Sequence, residues 1–284
     1  MTVSHLLPRV LWRKDPVADP LPLVFDSPHS GLEIPNDFEF VCDPALIRGG
    51  ADFYVDELYA AAPHHGATLL AALFPRAYID LNRYEIDIDP SMLDAPWPGE
   101  VRQGRKEVWN GLVRSRTRGG KIFYDQKLSV AEIRKRIEKY YRPYHAELKK
   151  SLDALYDRFG GVWHVNCHSC SRTNHWAEQP NADFILGDRF GQTSAPEFVE
   201  FIADTISNLG YSVSINKPYA GQSLICRYSA PDRQRHSIQI EISSDCYSAR
   251  KPIQKGEQFT AFQEDIGALV AATGDYVQTK LKTR

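Results

Sequence analysis

Hydrophobic positions along this chain fall into two rhythms that take turns. Short apolar or alternating runs at 21–25, 67–73, 77–81, 162–165, 182–187, 212–215 and 237–242 have the length and β-branched content of strands. Longer stretches between them repeat every three or four residues, as helices do. Residues 52–62 place Val55, Leu58 and Tyr59 on one face. Residues 129–159 do the same with Ile133, Ile137, Tyr140, Tyr144, Leu148, Leu152 and Leu155. Ser129 can cap that helix, Pro143 should kink it or mark a junction, and Gly160-Gly161 should end it. Two further helices are predicted at 196–209, stopped by Gly210, and at 257–281. The 87–121 segment has no period. It carries Pro90, Pro96, Pro98 and five glycines, and an irregular stretch that long reads as a lid or substrate-binding insertion.

Strands alternating with helices predict an α/β fold: a three-layer sandwich around a mixed, mainly parallel sheet. No repeat, low-complexity tract or linker divides the chain, so residues 1–284 read as a single domain. Ligands of such sheets bind beyond the carboxyl ends of the strands.

Composition narrows the function. A net charge of -2, with 25% charged residues, gives no global field for nucleic acid or an anionic membrane. Local basic clusters occur at 114–121 and 134–142, the second reading as a solvated helix face because Glu132 and Glu138 intersperse it. No apolar run approaches the ~20 residues that span a bilayer, and the charged N-terminal stretch lacks a signal-peptide core, so a cytoplasmic location is expected. The 5 cysteines show no disulfide framework; Cys167-x-x-Cys170 lacks the second pair of a zinc ribbon and reads as incidental thiols.

The candidate chemistry begins with two His-Ser pairs, His29-Ser30 and His168-Ser169, each just after a buried-looking strand. Neutral imidazoles at strand ends can bind zinc, and an acid from a third loop would complete a three-ligand catalytic site. Each histidine could equally cap a strand. For the acid, Asp52 opens a helix after Gly49-Gly50 and could be its cap; Glu33 and Asp56 are rivals. Asp80-Leu81-Asn82-Arg83 offers a planar guanidinium suited to a carboxylate. Glu241 interrupts Ile238, Ile240 and Ile242, where an ionised carboxylate needs either a functional cleft or a buried arginine partner.

Seven motifs then occur in order: Ser27-Pro28-His29-Ser30-Gly31, Ala51-Asp52-Phe53, Asp80-Leu81-Asn82-Arg83, Tyr141-Arg142-Pro143-Tyr144-His145, His168-Ser169, Ala182-Asp183-Phe184-Ile185-Leu186-Gly187 and Ile238-Gln239-Ile240-Glu241-Ile242. Through them the chain resembles the N-formylglutamate amidohydrolase family and, more distantly, zinc carboxypeptidases. The resemblance implies a zinc-exopeptidase-like (phosphorylase/hydrolase-like) fold and one zinc ion held by His29, Asp52 and His168. It implies Glu241 as general base and Asn82 and Arg83 on a substrate carboxylate, with Arg172 or Arg227 on a second one. The implied reaction releases formate from N-formyl-L-glutamate, a step in histidine breakdown, with a small N-acyl amino acid as the substrate and no nucleic-acid or membrane partner. The stretch from Gln222 to Ser229 departs from the family's usual glycine- and threonine-containing sequence, leaving the acyl amino acid open. Rival readings are a zinc amidase for another N-acyl amino acid or a cell-wall peptide, and a non-catalytic binder of acidic metabolites.

Overall fold

The computed structural model describes residues 3–102, 109–171, 182–249 and 254–283. Its strands are β1 (His5–Leu7), β2 (Leu11–Lys14), β3 (Leu23–Ser27), β4 (Thr68–Ala72), β5 (Val162–Cys170), β6 (Phe184–Gly187), β7 (Val213–Ile215) and β8 (Arg235–Ser243). They form one sheet in the order β1-β2-β4-β3-β5-β8-β6-β7. The four central strands β4, β3, β5 and β8 run parallel, and β6 and β7 are parallel to each other. Antiparallel pairings join β1 to β2, β2 to β4 and β6 to β8, so the sheet is mixed and mainly parallel, as expected. A small hairpin, β9 (Ser248–Ala249) and β10 (Gln254–Lys255), stands apart.

The helices are α1 (Pro44–Arg48), α2 (Val55–Leu58), α3 (Val130–Arg136), α4 (Arg142–Phe159), α5 (Pro196–Asn208), α6 (Ser223–Tyr228) and α7 (Phe259–Lys282). Two apolar cores lie on opposite faces of the sheet. Val24, Leu70 and Val162 pack with Ile133, Tyr144, Leu148 and Leu152 of α3 and α4. Leu23, Phe25, Val165, Ile238, Ile240 and Ile242 pack with α2, α5 and α7. The alternation of strand side chains assigns each residue to its core. None of the helices in the described residues is long and apolar enough to cross a membrane.

Several sequence expectations change. Ser129 does cap α3, accepting from the Glu132 N–H at 3.1 Å, and Gly160 ends α4 with φ 73°. A π-helical turn, Ile137–Tyr141, joins α3 to α4 where Pro143 was expected to kink or divide the helix. Proline lacks an N–H and its ring clashes with the carbonyl four residues back, and the widened turn moves that carbonyl away. Residues 77–81 are not a strand. They are buried, but Asp80 N–H donates to the Leu112 carbonyl of the irregular segment at 2.7 Å, so burial rather than sheet pairing explains the apolar run. The helix expected over 52–62 shrinks to α2 and a 3₁₀ turn, Ala62–His65. Arg136 of the basic helix cluster is fully buried, 4.4 Å from the Tyr78 ring, and not on a solvated face.

Candidate active site

The carboxyl ends of β3 and β5 deliver the two histidines to one place, their ring centroids 4.7 Å apart. His29 follows β3 on a loop that crosses the Leu73-Phe74 backbone so closely that a Cβ on Gly31 would sit 2.2 Å from the Leu73 carbonyl carbon. Glycine is required there. The His29 carbonyl accepts from the Asp52 N–H at 3.0 Å, fixing the second loop to the first. Tyr54, in a left-handed conformation at φ 64°, then turns the chain into α2. His168 lies on β5 opposite Glu241 of β8.

The hydrogen bonds determine where each imidazole carries its proton. His29 Nε2 faces the Asp80 carboxylate at 2.8 Å and must donate, leaving a lone pair on Nδ1. That Nδ1 is buried and makes no hydrogen bond among the described residues. For His168 the reasoning passes through Asn166. The amide of Asn166 donates to the acceptor-only Asp26 carboxylate at 2.8 Å, so its Oδ1 accepts from His168 Nε2 at 2.7 Å. His168 Nδ1 turns inward, toward Asp52 Oδ2 at 2.8 Å; the carboxylate only accepts, so Nδ1 donates to it, and giving up that proton would free Nδ1 as a ligand. Ligand atoms of His29, Asp52 and His168 all lie within 4.8 Å of one another, and these three buried residues form a group able to hold a metal ion. Back-donation of each ring's other nitrogen to a carboxylate or amide is the usual bracing of metal-binding histidines.

Electrostatics follow from burial and neighbours. Burial alone would raise the Asp52 carboxyl, but the hydrogen bond from His168 and the electrostatic pull of the two imidazoles hold it well below the usual range. Burial and then the positive charge of Arg76 lower His29. Burial also opposes a charged His168, yet the Asp52 hydrogen bond and the negative charges of Glu241 and Asp52 raise it. Glu241 is pushed up to about 7, first by burial and then by Asp52, against the lowering pull of His168, Arg76 and the Gln239 amide.

These groups line a cavity of about 700 Å³. Arg83 lies in its wall, with Nε and Nη1 donating to the Asn110 and Asn82 carbonyls. Asn82 also reaches the wall, but its amide braces the scaffold. It donates toward Gln239 Oε1 at 3.1 Å and accepts from the Leu224 N–H at 3.0 Å. Arg227 does not line the cavity; its guanidinium stacks on Tyr84 and Tyr141 at 5.1 and 5.5 Å. Arg172 lies outside the described residues. Glu33 is exposed, and Asp56, one turn beyond Asp52, is not part of the His-Asp-His group. Sequence reasoning missed Arg76, which grips Asp80 through Nε and Nη2 at 3.1 and 2.7 Å and approaches Asp52 at 3.9 Å. Its i,i+4 spacing to Asp80 was the available signal. Arg114 was noticed only as part of a basic cluster, yet it lines the same wall.

Comparison with known proteins places this chain in the class of hydrolases that cleave amide bonds. A model of the N-formylglutamate amidohydrolase family matches residues 21–248, and the chain belongs to that family. A crystal structure of N-formylglutamate amidohydrolase from Ralstonia eutropha is 41% identical, covers 96% of this chain and 100% of its own, and superposes with a TM-score of 0.93. An N-formylglutamate deformylase from Pseudomonas putida is 28% identical over 252 residues, 87% of this chain and 86% of that protein. A gene product from Agrobacterium tumefaciens, 16% identical with a TM-score of 0.68 over 97% of both chains, shares the fold.

Proposed function

We propose that this chain hydrolyses N-formyl-L-glutamate to formate and L-glutamate, with one zinc ion held by His29 Nδ1, Asp52 and His168 Nδ1. The observation that carries the reading is the convergence of two imidazole nitrogens and a carboxylate beside Glu241 in an arginine-walled cavity. The donor set, two nitrogens and one oxygen with both rings braced, suits zinc better than calcium or magnesium, which take oxygen ligands. Zinc bound there would act as a Lewis acid toward water and the formyl carbonyl.

The remaining work belongs to side chains of the fold. Glu241, with a carboxyl near neutrality, takes the proton of the attacking water and returns it to the departing amine. Arg76 is fixed by Asp80 with its guanidinium beside Asp52, where it stabilises negative charge growing on the carbonyl oxygen. Arg83 presents charge to the substrate's α-carboxylate. Two of the names found for relatives, deformylase and amidohydrolase of N-formylglutamate, agree with this reading. Such an activity would serve histidine breakdown.

Metal analysis and a formate assay on one preparation test the proposal. The expected result is one zinc per chain, formate release from N-formyl-L-glutamate, loss of release on chelation and recovery on adding zinc. Full activity in chelated, zinc-free protein would overturn it, as would zinc-loaded protein that leaves N-formyl-L-glutamate intact.

A further inference from the structure

The irregular segment brings one more cation to the cavity, and the fold gives that cation little to do. Leu112 and Val113 are buried, and the Leu112 backbone is bonded on both sides, its N–H to the Asp87 carbonyl and its carbonyl to the Asp80 N–H, each at 2.7 Å. Arg114 comes two residues after this anchor and is held by a bridge to Asn110. Its position is therefore set by the core and not by a loose surface loop. Gly50, beside Asp52, makes room for it: a Cβ there would stand 3.1 Å from Arg114 Nη1.

Among the described residues, the carboxylate nearest Arg114 is already occupied. Asp80 Oδ1 accepts from His29 Nε2 and the Asn82 N–H, while Oδ2 accepts twice from Arg76. Arg114 Nη2 comes no nearer to Oδ2 than 3.5 Å. Its Nε is buried with no hydrogen bond among the described residues. Burial, together with the like charges of Arg76 and Arg83, lowers Arg114 to about 9. A crowded guanidinium whose nearest carboxylate is saturated is a site for an anion brought from outside.

We propose that Arg114 is the specificity-determining residue for a dicarboxylic substrate, taking the side-chain carboxylate while Arg83 faces the α-carboxylate. The inference rests on the reading of the site as an N-acyl amino acid hydrolase and names the group that selects glutamate. Of the two arginines expected in the second-carboxylate role, Arg227 stacks on tyrosines and Arg172 lies outside the described residues; the role passes to Arg114 of the 87–121 segment.

The test compares N-formyl-L-glutamate with N-formyl-L-glutamine, the same shape without the second charge. Zinc-loaded wild type, Arg114→Gln and Arg114→Lys are assayed for formate, and the same proteins are titrated calorimetrically with glutarate and with its monoamide. Losing one charge-assisted pair should lower kcat/KM for formylglutamate about 10- to 100-fold in Arg114→Gln, mainly through KM. Formylglutamine turnover should stay within about threefold of wild type, because the missing contact is one it never makes. The preference for glutarate over its monoamide should vanish in Arg114→Gln and return in part in Arg114→Lys, which keeps charge but not the fork. Equal losses on both substrates would make Arg114 a structural partner of Asp80 and overturn the proposal; so would undiminished selectivity in Arg114→Gln. If wild type hydrolyses neither substrate, the proposed activity fails, while the glutarate titration still decides the role of Arg114.

Discussion

The two faces of β5 and β8 are chemically opposite: one is sealed in the core, the other borders the cavity, where Glu241 is half-buried. Trp163, Val165 and Cys167 with Ile238, Ile240 and Ile242 point into one core. His164, Asn166 and His168 with Ser237, Gln239 and Glu241 alternate with them on the other face. The apolar side needs only shape. The polar side persists because its groups satisfy one another: His164, Asn166 and Tyr144 all donate to Asp26 at 2.8 Å. Buried polar groups are tolerated when they are bonded. The same two strands thus build stability on one face and a reactive edge on the other.

Adjacent residues on opposite faces should fail in opposite ways. Glu241→Gln should lower kcat by about 10²- to 10⁴-fold with zinc content and melting unchanged, since it removes the basic oxygen and keeps the shape. Its neighbour Ile240→Ala should destabilise the fold by about 2–5 kcal/mol while the folded fraction keeps its activity. Thermal melts and formate release on both variants read the contrast; an early-melting, active Glu241→Gln would assign Glu241 to structure alone.

Next in size is the bracing of His168. Asn166→Ala removes the acceptor that sets the proton on Nε2, and zinc affinity should fall about 10- to 100-fold, the usual penalty for losing such a brace. A competition titration against a zinc chelator measures it, and unchanged affinity would detach the polar ladder from metal binding.

A smaller effect concerns acid. Burial would raise Asp26, but hydrogen bonds from His164, Asn166 and Tyr144 and the His164 charge hold its carboxyl below the ordinary value of 3.8. A depressed carboxyl adds stability that is present above that ordinary value and is lost as pH falls through the folded one, at about 1.4 kcal/mol per unit of depression. Denaturation midpoints should therefore drop less steeply below pH ~4 in Asp26→Asn than in wild type. Identical slopes would show that Asp26 does not carry the acid sensitivity. Smallest of all, Glu33→Ala and Asp56→Ala should leave zinc content unaltered, because neither side chain belongs to the His-Asp-His group.

Much of the frame was legible because burial writes a period into the sequence. The central strands and the long helices show it, and Ser129 and Gly160 mark real helix ends. Glu241 looked like an interruption of a buried strand; it is one member of a strict alternation whose other face is polar. What stayed hidden lacks a period. Strand β1, at the sheet edge, has only 3 residues, β2 beside it has 4 and carries Arg13 and Lys14, and α6 is only 6 residues long. The run at 77–81 misled because burial and strand formation are separate causes. Arg76 and Arg114 lie in loops, where only tertiary folding reveals which cations meet.

The amide of Gln239 leaves a directional mark on the reacting carboxylate. Backbone N–H of Gln222 points at Gln239 Oε1 at 3.1 Å, and a backbone donor cannot reverse its polarity. Gln239 is therefore locked with its nitrogen toward Glu241 Oε1, 2.8 Å away. One oxygen of Glu241 is permanently an acceptor, so any proton the residue carries rides on the other, Oε2. The start of a short helix thereby makes two chemically equivalent oxygens unequal, and gives the proton a single address.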